Sequence, residues 1–403
     1  MQSLVARRPA KVGIFVLALL VIEFLDELVF GAREAAWPLI QQDLGLTYIQ
    51  IGLLFTIPNI IAAVIEPVMA IMADMGRLRA LILGGGVMFT LQLFVLAASQ
   101  SFPVFLLATI VLFPSSGAFV SLSQAALMKL DHTRHEQNMA RWTFAGSAGV
   151  VAGPLLLSLS LAFGFGWRGA MVALGIISAV LVVIVWRVPF TFKNGSVDED
   201  EDDDAPQTFR EGVQAVFEAV RRPDVIRWVV LLECADLLMD VLLAYLALYL
   251  VNVVNIAPEQ AALAVTVWTG VGLVGDLLLI PLLERVRGLD YLRISAVLEF
   301  VLYIAFLLVE PFGLKLVVLG LLGFFNAGWY SVLQAQLYST MPGRPGTVQA
   351  ADTAVSLITS FIPLGLGFIA QRAGLDVAMW LLLIGPIALM IGLPRRVSVT
   401  ESA

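Results

Sequence analysis

Twelve long apolar runs dominate the chain and leave it few possible folds. They fall at 12–38, 48–73, 80–98, 103–128, 142–162, 169–189, 226–252, 260–283, 291–309, 314–338, 348–371 and 375–393. Each is near the length of roughly 20 residues that an α-helix needs to cross the hydrocarbon core of a bilayer. Inside lipid every backbone N–H and C=O must be satisfied within the protein, which admits helices or a closed β-barrel. Barrel strands are about ten residues long and alternate in polarity; these runs do neither. The pattern therefore predicts an all-α polytopic membrane protein with twelve transmembrane helices. Only 14% of residues are charged, against about 25% in an ordinary soluble domain.

Placement of Lys and Arg orients the predicted helices. All of them except Arg168, Lys315, Arg372 and the intrahelical Arg33 fall on the side that holds the N-terminus. Both termini are thus expected in the cytoplasm, and the short loops point to a prokaryotic inner membrane. The net charge of −7 does not describe a ligand, because the seven acids of Asp198–Asp204 account for it. That tract lies in the stretch 191–225, whose composition predicts a flexible linker. After it, Phe209, Val213, Val216, Phe217 and Val220 recur at helical spacing, as in an amphipathic helix on a membrane surface. The lone Cys234 falls inside helix 7 and excludes an intramolecular disulfide.

The chain also repeats itself. At an offset of 210, Glu23 and Asp26 meet Glu233 and Asp236, Glu66 meets Asp276, Asp74 meets Glu284 and Arg77 meets Arg287. Ser121, Gln124, Ala125 and Leu127 meet Ser331, Gln334, Ala335 and Leu337. Acids are rare in membrane helices, so their coincidence at one offset weighs more than any apolar match. The expected organisation is two pseudo-symmetric six-helix halves, 1–190 and 226–403, joined by the linker. Halves that both start inside form a parallel repeat, an architecture in which transporters bind substrate near the bilayer midplane.

The segment after helix 2 reads Ala70-Ile-Met-Ala-Asp74-Met-Gly76-Arg77-Leu-Arg79, echoed by Pro281-Leu-Leu-Glu284-Arg285-Val-Arg287-Gly288. With the two halves and the linker, it resembles the major facilitator superfamily over essentially the whole chain. The family's first Gly is Ala70 here, and the turn is one residue short. Gly149-Val-Val-Ala-Gly153-Pro154 in helix 5 resembles the family's antiporter motif; the same spacing of small residues also serves plain helix packing. Helix 4 carries Phe113-Pro114-Ser115-Ser116-Gly117, without the Arg typical of proton-coupled drug exporters. The stretch Asp43–Gly52 loosely resembles the fosmidomycin-resistance branch. The resemblance implies that helices 1, 4, 7 and 10 line a central cavity.

An ionised carboxylate at the bilayer centre costs about 3 kcal/mol or more, so it must be protonated, paired or wet. Helix 1 carries Glu23, Asp26, Glu27, Arg33 and Glu34, and helix 7 carries Glu233, Asp236 and Asp240, at three- and four-residue spacing. These stripes are the expected substrate and proton sites, with Arg33 pairing with Asp26, Glu27 or Glu34. Gln124, Asn326, Trp329, Tyr330 and Gln334 add amides and aromatic area suited to an amphipathic organic molecule. Glu66, Asp74, Arg77, Asp276, Glu284 and Arg287, towards the cytoplasmic ends of helices 2 and 8, are expected to act in gating. Glu299 and Asp352 are buried acids without a counterpart at the offset. His132 and His135 fit a wet loop rather than a metal site.

No phosphate-binding loop or nucleophile elbow occurs in the sequence. Neither a cofactor, a metal nor a nucleic-acid partner is expected, and the chain does not read as an enzyme. The expectation is a monomeric secondary carrier, surrounded by membrane lipid, that exports a small amphipathic compound in exchange for protons. The alternatives are a proton symporter with Arg33 as an anion contact, or a carrier-like receptor or scaffold without turnover.

Overall fold

The structure, a computed structural model, describes residues 10–129, 135–187, 221–340 and 355–394. Among these the chain is helical with no strand. The acidic tract, the amphipathic stretch before helix 7, His132 and Asp352 lie outside the described residues. Helices are numbered by the twelve expected spans.

In the N-terminal half these are α1 (Ala10–Leu44), α2 (Tyr48–Met72), α3 (Leu78–Ala98), α4 (Phe102–Phe119 and Ser121–Lys129), α5 (His135–Ala162) and α6 (Gly166–Arg187). In the C-terminal half they are α7 (Pro223–Asp236 and Asp240–Asn252), α8 (Pro258–Leu283) and α9 (Gly288–Leu308). They continue with α10 (Phe312–Asn326 and Trp329–Ser339), α11 (Ile362–Ala373) and α12 (Leu375–Leu381 and Ile384–Gly392). Ten spans are long and apolar enough to cross a membrane by themselves. The two that are not, α1 and α7, are the helices that carry the acid stripes.

The connection between α2 and α3 departs from expectation. The segment read as a turn is instead π-helical from Ala73 to Arg77, so helical hydrogen bonding runs through it. Such i→i+5 turns occur mostly as single turns inside α-helices. Arg79 then donates to the Trp186 carbonyl at 3.0 Å, fixing the start of α3 to the end of α6. At the equivalent place in the second half, residues 284–287 form an open turn.

By backbone proximity the chain forms two compact units. The first comprises Met1–Val197, Leu250–Thr266 and Ser360–Arg372; the second comprises Asp198–Tyr249, Val267–Thr359 and Ala373–Ala403. Within the first, α1 packs most extensively on α5. The contact is backbone to backbone, because Cβ atoms on Gly149 and Gly153 would overlap the Phe24 carbonyl oxygen and the Ala32 nitrogen. Reciprocally, a Cβ on Gly31 would strike the Val150 carbonyl. Small residues at one-turn spacing let two rods meet this closely.

The first unit also holds α1 and α2 against the ends of α7 and α11. Asn252 donates to Gln41 at 2.7 Å and to the Tyr48 hydroxyl at 3.0 Å. Gln371 accepts the Tyr48 backbone N–H at 3.1 Å, and Thr56 donates to the Ser360 carbonyl at 2.8 Å. Between these bonds, a Cβ on Gly52 would stand 2.7 Å from the Leu364 Cα. Asp43, Trp167 and Arg168 tie α1 to α6, and Arg168 bonds the carbonyls of Ala97 and Ser99 that end α3.

Candidate functional site

Arg33 and Glu34 form a buried ion pair at 2.9 Å, and the Trp37 indole donates to the other Glu34 oxygen at 2.9 Å. The guanidinium lies between two rings, 5.5 Å from the centre of Phe30 and 5.1 Å from that of Phe113. Of the three partners expected for Arg33, the structure selects Glu34, so both groups are committed to one another. Buried guanidinium in this setting is stabilised by the pair and by the ring faces together.

Nearer the N-terminus of α1, three acids converge from two helices. Asp26 accepts a hydrogen bond of 2.7 Å from the Ser116 hydroxyl on α4. Glu23, only 8% exposed, lies within electrostatic reach of Asp26. Glu66 on α2 also reaches Asp26 and rests on Gly117 of α4, where a Cβ would be 2.5 Å from its Oε1. Glu23 rests likewise on Gly146 of α5, at 2.6 Å. Glu27 packs beside it against Gly146 and Gly149. Glu66 thus joins the helix 1 acids at α4.

The second unit repeats these contacts with different chemistry. Glu233, the counterpart of Glu23, accepts bonds from Ser356 at 2.6 Å and Thr359 at 2.5 Å. At the 210 offset those two hydroxyl residues replace Gly146 and Gly149. Both Glu233 oxygens therefore have donors from the α11 side, whereas the glycines under Glu23 offer none. Asn326, the counterpart of Ser116, donates to the Leu238 carbonyl at 2.9 Å. That bond joins the break in α7, flanked by half-buried Asp236 and exposed Asp240, to the break in α10. Asp276, the counterpart of Glu66, accepts the Gly328 backbone N–H at 3.0 Å. Gly328 has φ +73, a left-handed conformation that favours glycine and lets the chain resume as a helix at Trp329.

The remaining sequence candidates divide. Gln124 reaches the Met139 sulfur at 3.5 Å. Tyr330 is 54% exposed, but Trp329 is fully buried with its indole donating to Ser295 of α9 at 2.9 Å. Gln334 is buried, and its Oε1 has no hydrogen-bond partner among the described residues. Arg77, Glu284 and Arg287 are exposed, and no ion pair links Glu284 with Arg287 among the described residues. Asp74 lies in the π segment. Ser116, Gly146, Ser356 and Thr359 were not singled out by sequence reasoning. The offset that pairs Ser116 with Asn326, and Gly146 with Ser356, was the signal that could have found them.

Buried acids on broken or tightly packed spanning helices, repeated in two halves, define a polytopic helical carrier. A family model described as Major Facilitator Superfamily matches residues 19–362, and the chain belongs to that family. It is a transporter. No curated protein matches the sequence.

Solved structures with this fold include a bacterial homologue of the human lysosomal transporter Spinster, inward-facing and occupied. The TM-score is 0.75 at 15% identity, covering 95% of this chain and 96% of that one. The inward-facing, unoccupied form of that homologue gives 0.72 at 16% identity, over 96% and 95% of the two chains. A variant of the nucleoside transporter NupG gives 0.75 at 14% identity, over 93% and 98%.

Proposed function

We propose that this transporter is a proton-coupled antiporter that exports a small amphipathic organic compound by alternating access of its two six-helix halves. The observation that carries the reading is the cluster of Glu23, Asp26 and Glu66 in the first unit. Like charges at short range in a poorly solvated site cannot all ionise together. Among the described residues the cation within reach of Asp26 is Arg33, and its guanidinium is held by Glu34. Such a cluster can take up and release a proton in exchange for a cationic or hydrogen-bonding substrate.

Asp236 and Asp240, beside the helix breaks, serve as the substrate's contacts in the second half, together with exposed Tyr330. Glu233 acts as a support because its oxygens are already bonded. Glu66 and Asp276 act at the α4 and α10 breaks, while the exposed Arg77, Glu284 and Arg287 remain candidates for gating. The committed state of Arg33 weighs against its use as an anion contact. The asymmetry of Lys and Arg supports cytoplasmic termini, and the short loops support a prokaryotic inner membrane.

The test uses purified protein in liposomes that enclose a pH-sensitive dye. Lipophilic cations, nucleosides, sugars and organic acids are added under an imposed proton gradient, for wild type, Glu23→Gln and Asp26→Asn. Substrate-dependent proton flux that disappears in both variants supports the reading, and its direction separates antiport from symport. Flux that survives both amide substitutions with unchanged pH dependence rejects it.

A further inference from the structure

Helix α9 carries a second acid that none of the contacts above employs. Glu299 is 1% exposed, and its Oε1 has no hydrogen-bond partner among the described residues. It lies on one face of α9 with Tyr291, Ser295 and Tyr303, at four-residue spacing. This face is turned inwards, since Ser295 and Tyr303 are also buried.

The charged and titratable groups around it can be followed element by element. On α9 itself, Arg293 is paired with Asp290 at 2.6 Å and bonds the Pro394 carbonyl. Tyr303 donates to the Met379 carbonyl at 2.9 Å. The helices packed on α9 are both segments of α10 and the second segment of α12. The α12 segment, Ile384–Gly392, contains no ionisable residue. Among the described side chains, α10 brings Lys315 and Tyr330, the latter 54% exposed.

Lys315 is held elsewhere. It donates to the Phe306 carbonyl and lies 4.7 Å from the Phe306 ring centre and 5.6 Å from that of Tyr249. Phe306 is about 10 Å along α9 from Glu299. From α8, Asp276 adds another acid near Tyr291, and from α12, Asp376 lies near Tyr249. No cation among the described residues faces Glu299, and a bare carboxylate enclosed in a spanning helix would be strongly disfavoured.

We propose that Glu299 is a second proton-binding site, enclosed in the second unit and separate from the acids of α1, α2 and α7. Its proton is exchanged as α10 bends at Ala327–Gly328. The coupling follows from where the nearby donors are engaged. The Tyr291 hydroxyl holds the carbonyls of Phe325 and Ala327, at 3.2 and 2.8 Å, and so closes the break in α10. The Trp329 indole, at the restart of α10, is bound to Ser295, one turn from Glu299.

A protonated Glu299 makes no demand on either donor. Once its proton leaves, the carboxylate requires an N–H or O–H, and the hydroxyls on its face are those of Tyr291, Ser295 and Tyr303, each engaged with a backbone carbonyl. Recruiting Tyr291 or the Trp329 indole removes a tie across the break, whereas recruiting Tyr303 gives up the Met379 carbonyl. Where the first two answer the charge, the charged acid favours an open break, which makes the proton a ligand of one α10 geometry.

The test reads the carboxyl itself, without substrate, so it stands or falls independently of the α1 cluster. Infrared spectra of the protein in liposomes are recorded across pH, in H2O and D2O, for wild type, Glu299→Gln and Glu299→Asp. The wild type should show a protonated-carboxyl carbonyl band that Glu299→Gln lacks and Glu299→Asp restores at a shifted pH. Superimposable wild-type and Glu299→Gln spectra in that region would mean that Glu299 is ionised and would overturn the site.

Amide hydrogen exchange over Phe324–Leu333, corrected for intrinsic rates, then tests the coupling. In wild type it should rise several-fold as the band disappears with increasing pH. In Glu299→Gln it should stay level. The same rise in Glu299→Gln would overturn the link to α10, and a thermal unfolding curve on each variant confirms that the comparison is made between folded proteins.

Discussion

Glu34 illustrates how much one buried side chain can hold. Its two oxygens accept from Arg33 and Trp37, so neutralising it strands a guanidinium between two phenyl rings. Breaking one side of a buried pair costs about 3–5 kcal/mol, whereas replacing both partners by apolar groups is often neutral. Glu34→Gln should therefore lower the unfolding temperature in detergent markedly, and Arg33→Met with Glu34→Leu should recover most of the loss. Glu233 gives a second prediction. Ser356→Ala combined with Thr359→Val leaves its oxygens without those donors, at about 1–3 kcal/mol for each lost bond. The corresponding chemical denaturation midpoint should fall, while Glu233→Gln in the same background restores part of it.

The acids themselves were legible in the sequence, because charge in an apolar run is conspicuous and the 210 offset pairs it. Their state was not. Whether an acid rests on glycine, as Glu23 does on Gly146, or on hydroxyls, as Glu233 does on Ser356 and Thr359, depends on a helix more than 120 residues away. Trp329 shows another limit. Read along an unbroken helix 10 it joins Asn326 on a cavity face, but the break at Ala327–Gly328 changes its direction, and it ends against Ser295.

At the scale of elements, the close α1–α5 contact is the most exacting in the first unit. Gly153→Ala places a methyl against backbone that has no room to yield, and overpacking of this kind costs about 1–3 kcal/mol or more. A Cβ on Gly84 of α3 would meet nothing within 4 Å, so Gly84→Ala should be neutral or stabilising by up to about 1 kcal/mol. Thermal unfolding of the two variants side by side checks the contrast. Span positions were readable because lipid sets their length and polarity. The breaks in α4, α7, α10 and α12 were not, since apolar composition continues through them. The backbone groups freed at the α7 and α10 breaks are satisfied by distant side chains, namely Asn326, Tyr291 and Asp276.

Across the whole molecule, the internal repeat extends from sequence into bonding. Ser116 with Asp26 and Asn326 with Leu238, Glu66 with Gly117 and Asp276 with Gly328, each pair elements at corresponding places. The two halves share these placements, and single side chains give each half its own chemistry. The joining of α1 and α2 to the ends of α7 and α11 belongs to this scale too. Gly52→Leu should loosen it, and amide exchange of residues 250–257 and 364–371 should rise several-fold relative to Gly365→Ala, where a Cβ meets open space.

That junction is made of three amides, a phenol, a hydroxyl, main chain and a bare glycine. None of these carries charge at neutral pH, so neither ionic strength nor moderate acidity gives the surrounding medium a handle on it. It is a clasp that responds to shape and to force transmitted along helices. Several of its bonds are exposed, so a competing hydrogen-bonding solute is the other way to reach it.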